Sequence, residues 1–281
     1  MELWFTEKQL TEEGRETLSL GLRIKKVLHR EKTDFQDLAI LDSDHYGRVL
    51  VLDGVIQTTE KDEFVYHEMI AHVPMMTHPD PQQVLVIGGG DGGTVREVLK
   101  HPSVKKVELC EIDQRVCEVS QEFLPSIGGW LGDPRVDMIF TDGIQYVLEK
   151  KNQYDVIIVD APDPEGPAVG LFEGSFYRSI HRALRENGLF AAQSESPFHN
   201  RELLARIYKD VKASYAVARC YLAFIPTYQS GMWSFMLGSK QYDPLKDARK
   251  ESRFLEAKYY TPDIHRACFT LPGFVQILFD D

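Results

Sequence analysis

Carboxylate side chains follow four predicted strands of this sequence at the points where the strands end. Each strand is a short, continuous apolar run, as in strands buried on both faces of a sheet. The carboxylates are Asp91, Glu111, Asp142, Asp160 and Asp163. The carboxyl ends of parallel strands meet at one edge of a sheet, so these side chains should converge. Like charges that close repel strongly unless a cation offsets them, and the pattern therefore indicates a cationic ligand.

The strands belong to a repeated strand, turn and helix pattern in the second part of the chain. The predicted strands are 84–87, 107–110, 136–140 and 156–159, with helical stretches between them. This alternation is typical of a doubly wound α/β unit with a parallel sheet. Apolar residues at helical spacing also predict a helix from Asp62 to Thr77, which leads into this unit.

The first 60 residues have a different pattern. Apolar residues alternate in short runs, and pairs such as Asp53-Gly54 separate the runs. Period-two spacing with such turn residues is typical of β-hairpins. The sequence therefore predicts a small antiparallel β domain over residues 1–60 and an α/β domain over residues 61–281.

A glycine-rich loop, Gly88-Gly89-Gly90-Asp91-Gly92-Gly93, follows the first strand of the α/β domain. Glu111 lies 20 residues after Asp91, a spacing that suits an acidic residue binding both ribose hydroxyls of a nucleotide. The spacing alone fits NAD, FAD or S-adenosylmethionine. Asp91 narrows the choice, because its carboxylate would repel a pyrophosphate and also the carboxylate of an ordinary methyl donor. A donor that has lost its carboxylate and keeps a free ammonium would be attracted.

Each of these carboxylates also has a purely structural interpretation. Asp91 could form a turn or cap a helix, Glu111 could be a solvated strand end, and Asp142 could be a turn residue. The segment 160–167 differs, because three prolines restrict the loop that carries its aspartates. A plain surface loop is the alternative there.

The charge and hydropathy of the chain limit its possible partners. Its 281 residues include 43 acidic and 32 basic side chains, for a formal charge of −11. This balance argues against nucleic acid or an anionic membrane surface and suits a cationic ligand, although many cytosolic enzymes are acidic for solubility alone. We find no apolar run long enough to cross a bilayer and no secretory signal. We therefore expect a cytoplasmic protein whose four cysteines are reduced and bind no metal.

Longer motifs connect these residues to a known family. Around the carboxylates they are 88–93, Glu111-Ile112-Asp113, Thr141-Asp142-Gly143 and Asp160-x-x-Asp163-Pro164-x-Gly166-Pro167. Others are Leu52-Asp53-Gly54-x-x-Gln57, Asp62-Glu63-Phe64-x-Tyr66-His67-Glu68, Gly188-x-x-Ala191-Ala192-Gln193 and Pro226-Thr227-Tyr228-x-Ser230-Gly231. In this order they resemble the spermidine synthases, or polyamine aminopropyltransferases, of the bacterial type. The resemblance runs nearly end to end and is far more specific than the glycine loop alone.

The resemblance implies a fold and a reaction. The fold is a small N-terminal antiparallel β domain followed by a Rossmann-like, methyltransferase-type α/β domain, assembled as a homodimer or homotetramer. The reaction transfers the aminopropyl group of decarboxylated S-adenosylmethionine to putrescine, giving spermidine and 5'-methylthioadenosine. Beyond this co-substrate, no cofactor and no metal ion are expected.

The resemblance also assigns residues to the donor. The adenosine part, or the thioether product, would contact Gln36, Glu111, Asp142, Gly143 and Pro167. The aminopropyl and amine region would be lined by His67 and Asp91.

Asp160 corresponds to the proton acceptor of the family, and the attacking amine would be surrounded by Asp163, Tyr66 and Tyr228. The chain departs from the family in one place. Small hydroxyl residues usually follow the first aspartate of this loop, whereas Ala161 and Pro162 follow Asp160 here. The orientation of Asp160, and with it the rate or the choice of acceptor, is the property that this change puts in question.

The far ammonium of a diamine needs its own polar or anionic partner. Gln193 and Glu195, near the end of the fifth strand, are candidates, although Glu195 could equally be a solvated loop charge. Putrescine is the common acceptor of the family, but cadaverine, agmatine and spermidine differ from it only in length or end group. Two other functions stay open: a methyltransferase that uses intact S-adenosylmethionine, and a non-catalytic polyamine-binding protein.

Overall fold

The computed structural model describes residues 2–10 and 16–280, and its first part is an antiparallel sheet. Residues 1, 11–15 and 281 of the two predicted domains lie outside the described residues. The strands of this sheet pair in chain order and are β1 (Leu3–Leu10), β2 (Glu16–Lys32), β3 (Asp37–Ser43), β4 (Gly47–Leu52) and β5 (Val55–Thr59). The hairpins predicted for this part of the chain are therefore present.

A second, mixed sheet follows. Its strands are β6 (Gln83–Gly88), β7 (Lys106–Glu111), β8 (Val136–Phe140), β9 (Tyr154–Asp160), β10 (Leu184–Gln193), β11 (Val217–Phe224) and β12 (Met232–Ser239). They lie in the order β11-β12-β10-β9-β6-β7-β8, and β6 to β10 are parallel. The predicted α/β fold is confirmed, with an antiparallel β11-β12 pair added at one edge.

The helices pack on both faces of the mixed sheet. They are α1 (Glu63–Thr77), α2 (Gly93–Leu99), α3 (Gln114–Phe123), α4 (Pro125–Gly128), α5 (Gly143–Leu148), α6 (Gly174–Ala183), α7 (Arg201–Ser214), α8 (Pro262–Ala267) and α9 (Gly273–Gln276). One apolar core joins α1 and α2 to the sheet, and a second core joins α6 and α7 to the opposite face. Coverage of both faces explains why the parallel strands are continuous apolar runs.

The strand order reverses at β6, which pairs with β7 on one side and β9 on the other. Connections leave such a strand toward opposite faces, so a crevice opens beyond its carboxyl end. The loop 88–93 and the segment 160–167 both begin there. The topology therefore brings the two most informative sequence motifs together.

The antiparallel sheet packs against the same end of the mixed sheet. Leu38, Ile40 and Leu50 form an apolar cluster with residues of α3 and α4. Beside it, the side chains of Thr33 and Gln36 each donate a hydrogen bond of 2.8 Å to Asp113 Oδ2. These contacts hold the first part of the chain over the crevice.

The predicted helix 62–77 is present as α1 and begins one residue later than expected. Asp62 is instead a buried link: Oδ1 accepts a bond from the Thr59 hydroxyl, and Oδ2 accepts bonds from the amide and hydroxyl of Thr227. The cysteines 110, 117, 220 and 268 are buried and unpaired with one another. Within the described ranges, no helix is long and apolar enough to cross a membrane.

Candidate active site

A cavity of about 220 Å³ lies beyond the carboxyl ends of β6, β7 and β9. The antiparallel sheet forms its other wall, with Leu50, Leu52 and Val55 among the lining residues. All the strand-end carboxylates named from the sequence line this cavity: Asp91, Glu111, Asp142, Asp160 and Asp163. The predicted convergence of negative charge is therefore present.

Most of the predicted site residues line the same cavity. Besides the carboxylates, these are Gln36, Tyr66, His67, Gly143, Pro167 and Tyr228. Gln193 and Glu195, the candidates for the far ammonium, are buried but are not among the lining residues. They lie directly behind the lining, where Gln193 Nε2 donates to the carbonyls of Ala161 and Pro162.

Asp160 ends β9 and is held by two hydroxyl groups. Tyr66 donates to Oδ1 at 2.7 Å, and Thr94 donates to Oδ2 at 2.6 Å. Gly89, at φ +69°, approaches so closely that a Cβ there would lie 2.7 Å from Oδ2. Burial raises the pKa of Asp160, and the charge of Asp91 raises it further.

These hydroxyls bear on the departure from the family pattern at Ala161 and Pro162. Asp160 needs no hydroxyl from the residue that follows it, because both of its oxygens already accept a bond. Ala161 is itself buried, and its carbonyl accepts a bond from Gln193 Nε2. Asp160 is thus oriented from α1 and α2 rather than from its own loop.

Two tyrosines form the wall beside Asp160. Tyr66 is buried, and burial followed by the charge of Asp160 raises its pKa well above the usual value, so its hydroxyl keeps its proton. The ring centroid of Tyr228 lies 5.8 Å from that of Tyr66. The Tyr228 hydroxyl donates to the carbonyl of Gln57 on β5, which connects this wall to the antiparallel sheet.

Glu111 ends β7 and is almost fully buried. Its Oε1 accepts the amide of Asp113 at 3.0 Å, and its Oε2 accepts the amide of Gly90 at 3.2 Å. Burial raises the pKa of Glu111 to about 7, although the backbone donors oppose the shift. A carboxylate oxygen can accept more than one bond, so Glu111 can still accept two hydroxyl groups of a ligand.

Asp91 and Asp142 each form a local structural bond and also line the cavity. Oδ1 of Asp91 accepts the amide of Gly93, and Oδ1 of Asp142 accepts the amide of Ile144 at the start of α5. These are the bonds of a turn and of a helix cap. The second oxygen of Asp91 lies 3.3 Å from Nε2 of His67, and both aspartates line the cavity.

Gln193 and Glu195 form a buried polar layer behind Asp163. Gln193 Nε2 donates to the carbonyls of Ala161 and Pro162 and to Oε1 of Glu195. Glu195 has φ +69°, an unusual conformation for this residue type. Burial, and next the charge of Asp163, raise the pKa of Glu195 to about 8.

Sequence reasoning missed several contributors to the site. Thr94 stands directly after the glycine loop, and its hydroxyl was a signal that could have been used. Glu165 lines the cavity and lies within the proline-rich segment that was singled out. Glu7 gave no signal and is not among the lining residues. It is buried on β1, where it accepts bonds from the Ile56 amide and from Gln229 Nε2, both at 2.7 Å, and burial, with a smaller effect of the charge of Asp163, raises its pKa.

Comparison with known proteins agrees with this geometry. The Spermine/spermidine synthase domain matches residues 63–249, and the Spermidine synthase tetramerisation domain matches residues 3–60. The polyamine aminopropyltransferase of Caldicellulosiruptor saccharolyticus is 52% identical over 276 residues, which are 98% of each chain. That of Bacillus subtilis strain 168 is 52% identical over 279 residues, 99% of each chain.

Solved structures agree as well. A crystal structure of a spermidine synthase in complex with the transition-state analogue AdoDATO has a TM-score of 0.94 at 42% identity, covering 98% of this chain and 94% of that one. The spermidine synthase of Thermotoga maritima has a TM-score of 0.90 at 41% identity, with the same coverage. The resemblance seen in the motifs is confirmed: the chain belongs to the spermine/spermidine synthase family.

Proposed function

We propose that this chain is a spermidine synthase, which transfers the aminopropyl group of decarboxylated S-adenosylmethionine to putrescine and releases spermidine and 5'-methylthioadenosine. The observation that carries the proposal is the buried Asp160, held by Tyr66 and Thr94 in a cavity lined by further carboxylates. Within the described part of the chain, the lining includes no lysine or arginine. Such a cavity favours ligands with positive charge.

The donor fits the half of the cavity beside β6 and β7. We assign the ribose hydroxyls to Glu111 and the rest of the adenosine part to residues around it: Gln36, Asp142, Gly143 and Pro167. Asp91 and His67 would then face the aminopropyl arm and its ammonium. A methyltransferase is not favoured, because the carboxylate of an intact donor would meet Asp91 at this position.

The transfer itself is a displacement at the carbon next to sulfur. The amine nitrogen of the acceptor forms a bond to that carbon, the carbon–sulfur bond breaks, and its electron pair stays on the thioether. The product nitrogen is then a secondary ammonium, so the one proton that must leave does so earlier, when the acceptor ammonium becomes a neutral amine. No redox change takes place, so the chain has to supply binding, orientation and a path for the proton.

A free alkylamine resembles lysine, whose pKa is about 10.4, and is therefore protonated near neutral pH. Only the neutral amine can attack. Burial and the neighbouring sulfonium would lower the pKa of the amine, while burial raises the pKa of Asp160, so the two values approach each other. Asp160 then serves as the proton acceptor, and Tyr66 orients it as a hydrogen-bond donor.

The acceptor fits between Asp160 and the layer at Asp163. Asp163 lines the cavity, and the wall formed by Tyr66 and Tyr228 would pack along the methylenes of the diamine. We propose that the far ammonium lies at Asp163, with Glu195 and Gln193 behind it. Asp163 and Glu195 form a buried pair of carboxyl groups. When Glu195 loses its proton, the pair gains a negative charge that can stabilise the ammonium.

We further propose a homodimer or homotetramer in the cytoplasm, with a division near residue 60 between the two domains. The antiparallel sheet exposes large apolar side chains at Leu3, Trp4, Leu18 and Val27, which a second copy could cover. The match to a tetramerisation domain over residues 3–60 supports the same sheet as the interface. The free, buried cysteines suit a reducing compartment.

The reaction can be tested directly with the purified chain. With decarboxylated S-adenosylmethionine and putrescine, mass spectrometry should find spermidine and 5'-methylthioadenosine. Cadaverine, agmatine and spermidine, offered separately, should react more slowly. Asp160→Asn should lower turnover by about 10²- to 10⁴-fold while donor affinity changes little. Methylated product from the intact donor, or near-normal turnover of Asp160→Asn, would contradict the proposal.

The role of Thr94 can be tested with a matched pair of variants. Thr94→Val removes a donor to Asp160 and should lower turnover by about 10- to 100-fold, since a bond to a charged group contributes about 1.5–3 kcal/mol. The pKa of Asp160 should rise, so the acid limb of the kcat/KM profile should move to higher pH. Thr94→Ser keeps the hydroxyl and should behave like the wild type; an acid limb unmoved in the Val variant would exclude this role.

Glu195 should release a proton when the acceptor binds. Its pKa of about 8 keeps it protonated near pH 7, and an ammonium at Asp163 would favour the ionised form. Calorimetric titration of putrescine in buffers of different ionisation enthalpy counts the protons released. The wild type should release more than Glu195→Gln, whereas the exposed control Glu149→Gln should match the wild type. Equal release by wild type and Glu195→Gln would remove Glu195 from the acceptor site.

A further inference from the structure

A chain of charged side chains lies behind the cavity, between α1 and α2. Arg96 is 9% exposed and Glu63 is 6% exposed, and neither lines the cavity. The guanidinium of Arg96 donates to both oxygens of Glu63, at 3.0 Å and 2.7 Å. It also donates to Glu97 Oε1 and to the carbonyl of Ser126. Arg96 is therefore held on several sides, with its charge directed at Glu63.

Glu63 in turn contacts His67, which does line the cavity. Nδ1 of His67 lies 2.6 Å from Glu63 Oε2, and Nε2 lies 3.3 Å from Asp91 Oδ2. Ionised carboxylate oxygens only accept hydrogen bonds, so each ring nitrogen has to carry a hydrogen. When both carboxylates are ionised, this geometry favours an imidazolium. Burial would lower the pKa of His67, but the carboxylates of Asp91 and Glu63 outweigh it and raise the pKa well above its usual value.

The backbone of α2 leaves the His67 ring no room to turn away. A Cβ at Gly93 would lie 2.3 Å from both Cε1 and Nδ1 of that ring, so the ring packs directly on the first residue of the helix. On its other side, the ring of Tyr66 meets it edge to face at a centroid distance of 5.5 Å. The packing of Gly93 and Tyr66 therefore fixes the position of the His67 ring between the carboxylates that favour its charged form.

We propose that Arg96 is a positioning residue for the transfer: through Glu63 it holds His67 as the cation beside Asp91, and so sets the lowest pH at which Asp160 works. The statement about Asp160 rests on the proposed function, whereas the statement about the charge of His67 does not. Three carboxylates, Glu63, Asp91 and Glu97, face three cations, His67, Arg96 and Lys100, whose Nζ lies 2.7 Å from Glu97 Oε2. This balance allows Asp91 and Asp160 to be ionised side by side before a cationic substrate arrives.

The electrostatic consequence follows from the groups that face His67. These are Glu63 from α1, Asp91 from the glycine loop and Asp160 from β9, with Tyr66 protonated beside it. Burial and Asp91 raise the pKa of Asp160, whereas the charge of His67 lowers it. Loss of His67 charge would therefore raise the pKa of Asp160 and deprive it of its ionised form at low pH.

Arg96 affects the charge of His67 through Glu63, because a buried Glu63 needs a neighbouring cation to stay ionised. Burial alone would raise the pKa of Glu63, but His67 and Arg96 together lower it to about 2. Without the guanidinium, Glu63 would more readily take a proton. A protonated Glu63 no longer stabilises an imidazolium, so the pKa of His67 would fall, with Asp91 left to hold the proton.

The kinetic test compares three variants over pH. Arg96→Met should move the acid limb of kcat/KM to higher pH by about one unit, the size expected for loss of one neighbouring charge. Arg96→Lys keeps the cation and should restore most of the wild-type profile. Arg185→Met is the matched control, since Arg185 also pairs with a buried carboxylate, Asp155 Oδ1 at 2.8 Å, but at the amino end of β9, away from the site. Its acid limb should not move.

The charge of His67 can be measured without substrate and without turnover. In protein labelled with ¹⁵N-histidine, with His67→Gln to assign the signal, His67 should remain an imidazolium from about pH 6 to 8, where ordinary histidines titrate. In Arg96→Met it should be neutral in the upper part of this range. If the wild type shows a His67 imidazolium but no transferase activity, the proposed function is wrong and the contacts from Arg96 to His67 are still supported.

A neutral His67 in the wild type at pH 7, or an Arg96→Met profile that is only lower in amplitude, would overturn the inference. Thermal melting shows whether Arg96→Met folds. If it does not, the wild-type spectrum and the pH profile of Arg96→Lys are the tests. A neutral His67 in that spectrum, or a shifted acid limb in Arg96→Lys, would contradict the inference.

Discussion

Repulsion between buried carboxylates is the constraint on which the site depends. Asp91 and Asp160 lie in one cavity, and burial raises the pKa of Asp160 while Asp91 raises it further. Such groups stay ionised only when hydrogen-bond donors or cations surround them. Among the chain's own residues, Tyr66, Thr94 and His67 have this function. A substrate with positive charge adds to it and is favoured by a cavity whose described lining includes His67 but no lysine or arginine.

The fold supplies these partners from separate parts of the chain. The strand reversal at β6 places the glycine loop next to the end of β9, and α1 passes behind both with its tyrosine and histidine. The antiparallel sheet closes the opposite wall and is joined to the mixed sheet by bonds from Gln36 to Asp113 and from Tyr228 to Gln57. Residues of both sheets thus line the cavity.

Much of this could be predicted from the sequence, because apolar strands and the residues at their ends are local patterns. The positions of Asp91, Glu111 and Asp160 followed from the ends of the predicted strands. The support from Thr94 and Arg96 did not, since it requires the packing of α1 against α2, which no local pattern specifies. Likewise, Gln193 binds the carbonyls of the loop after β9 instead of lining the cavity. Competition between such backbone groups and a ligand becomes visible only in three dimensions.

We propose that the cavity selects its donor by the charge of Asp91. Calorimetric titration of decarboxylated and intact S-adenosylmethionine into the wild type and into Asp91→Asn tests this most directly. The wild type should bind the decarboxylated donor at least about tenfold more tightly, which corresponds to about 1.4 kcal/mol, and Asp91→Asn should lose most of that preference. Equal affinity of the wild type for the two donors, or a preference that survives in Asp91→Asn, would contradict the account.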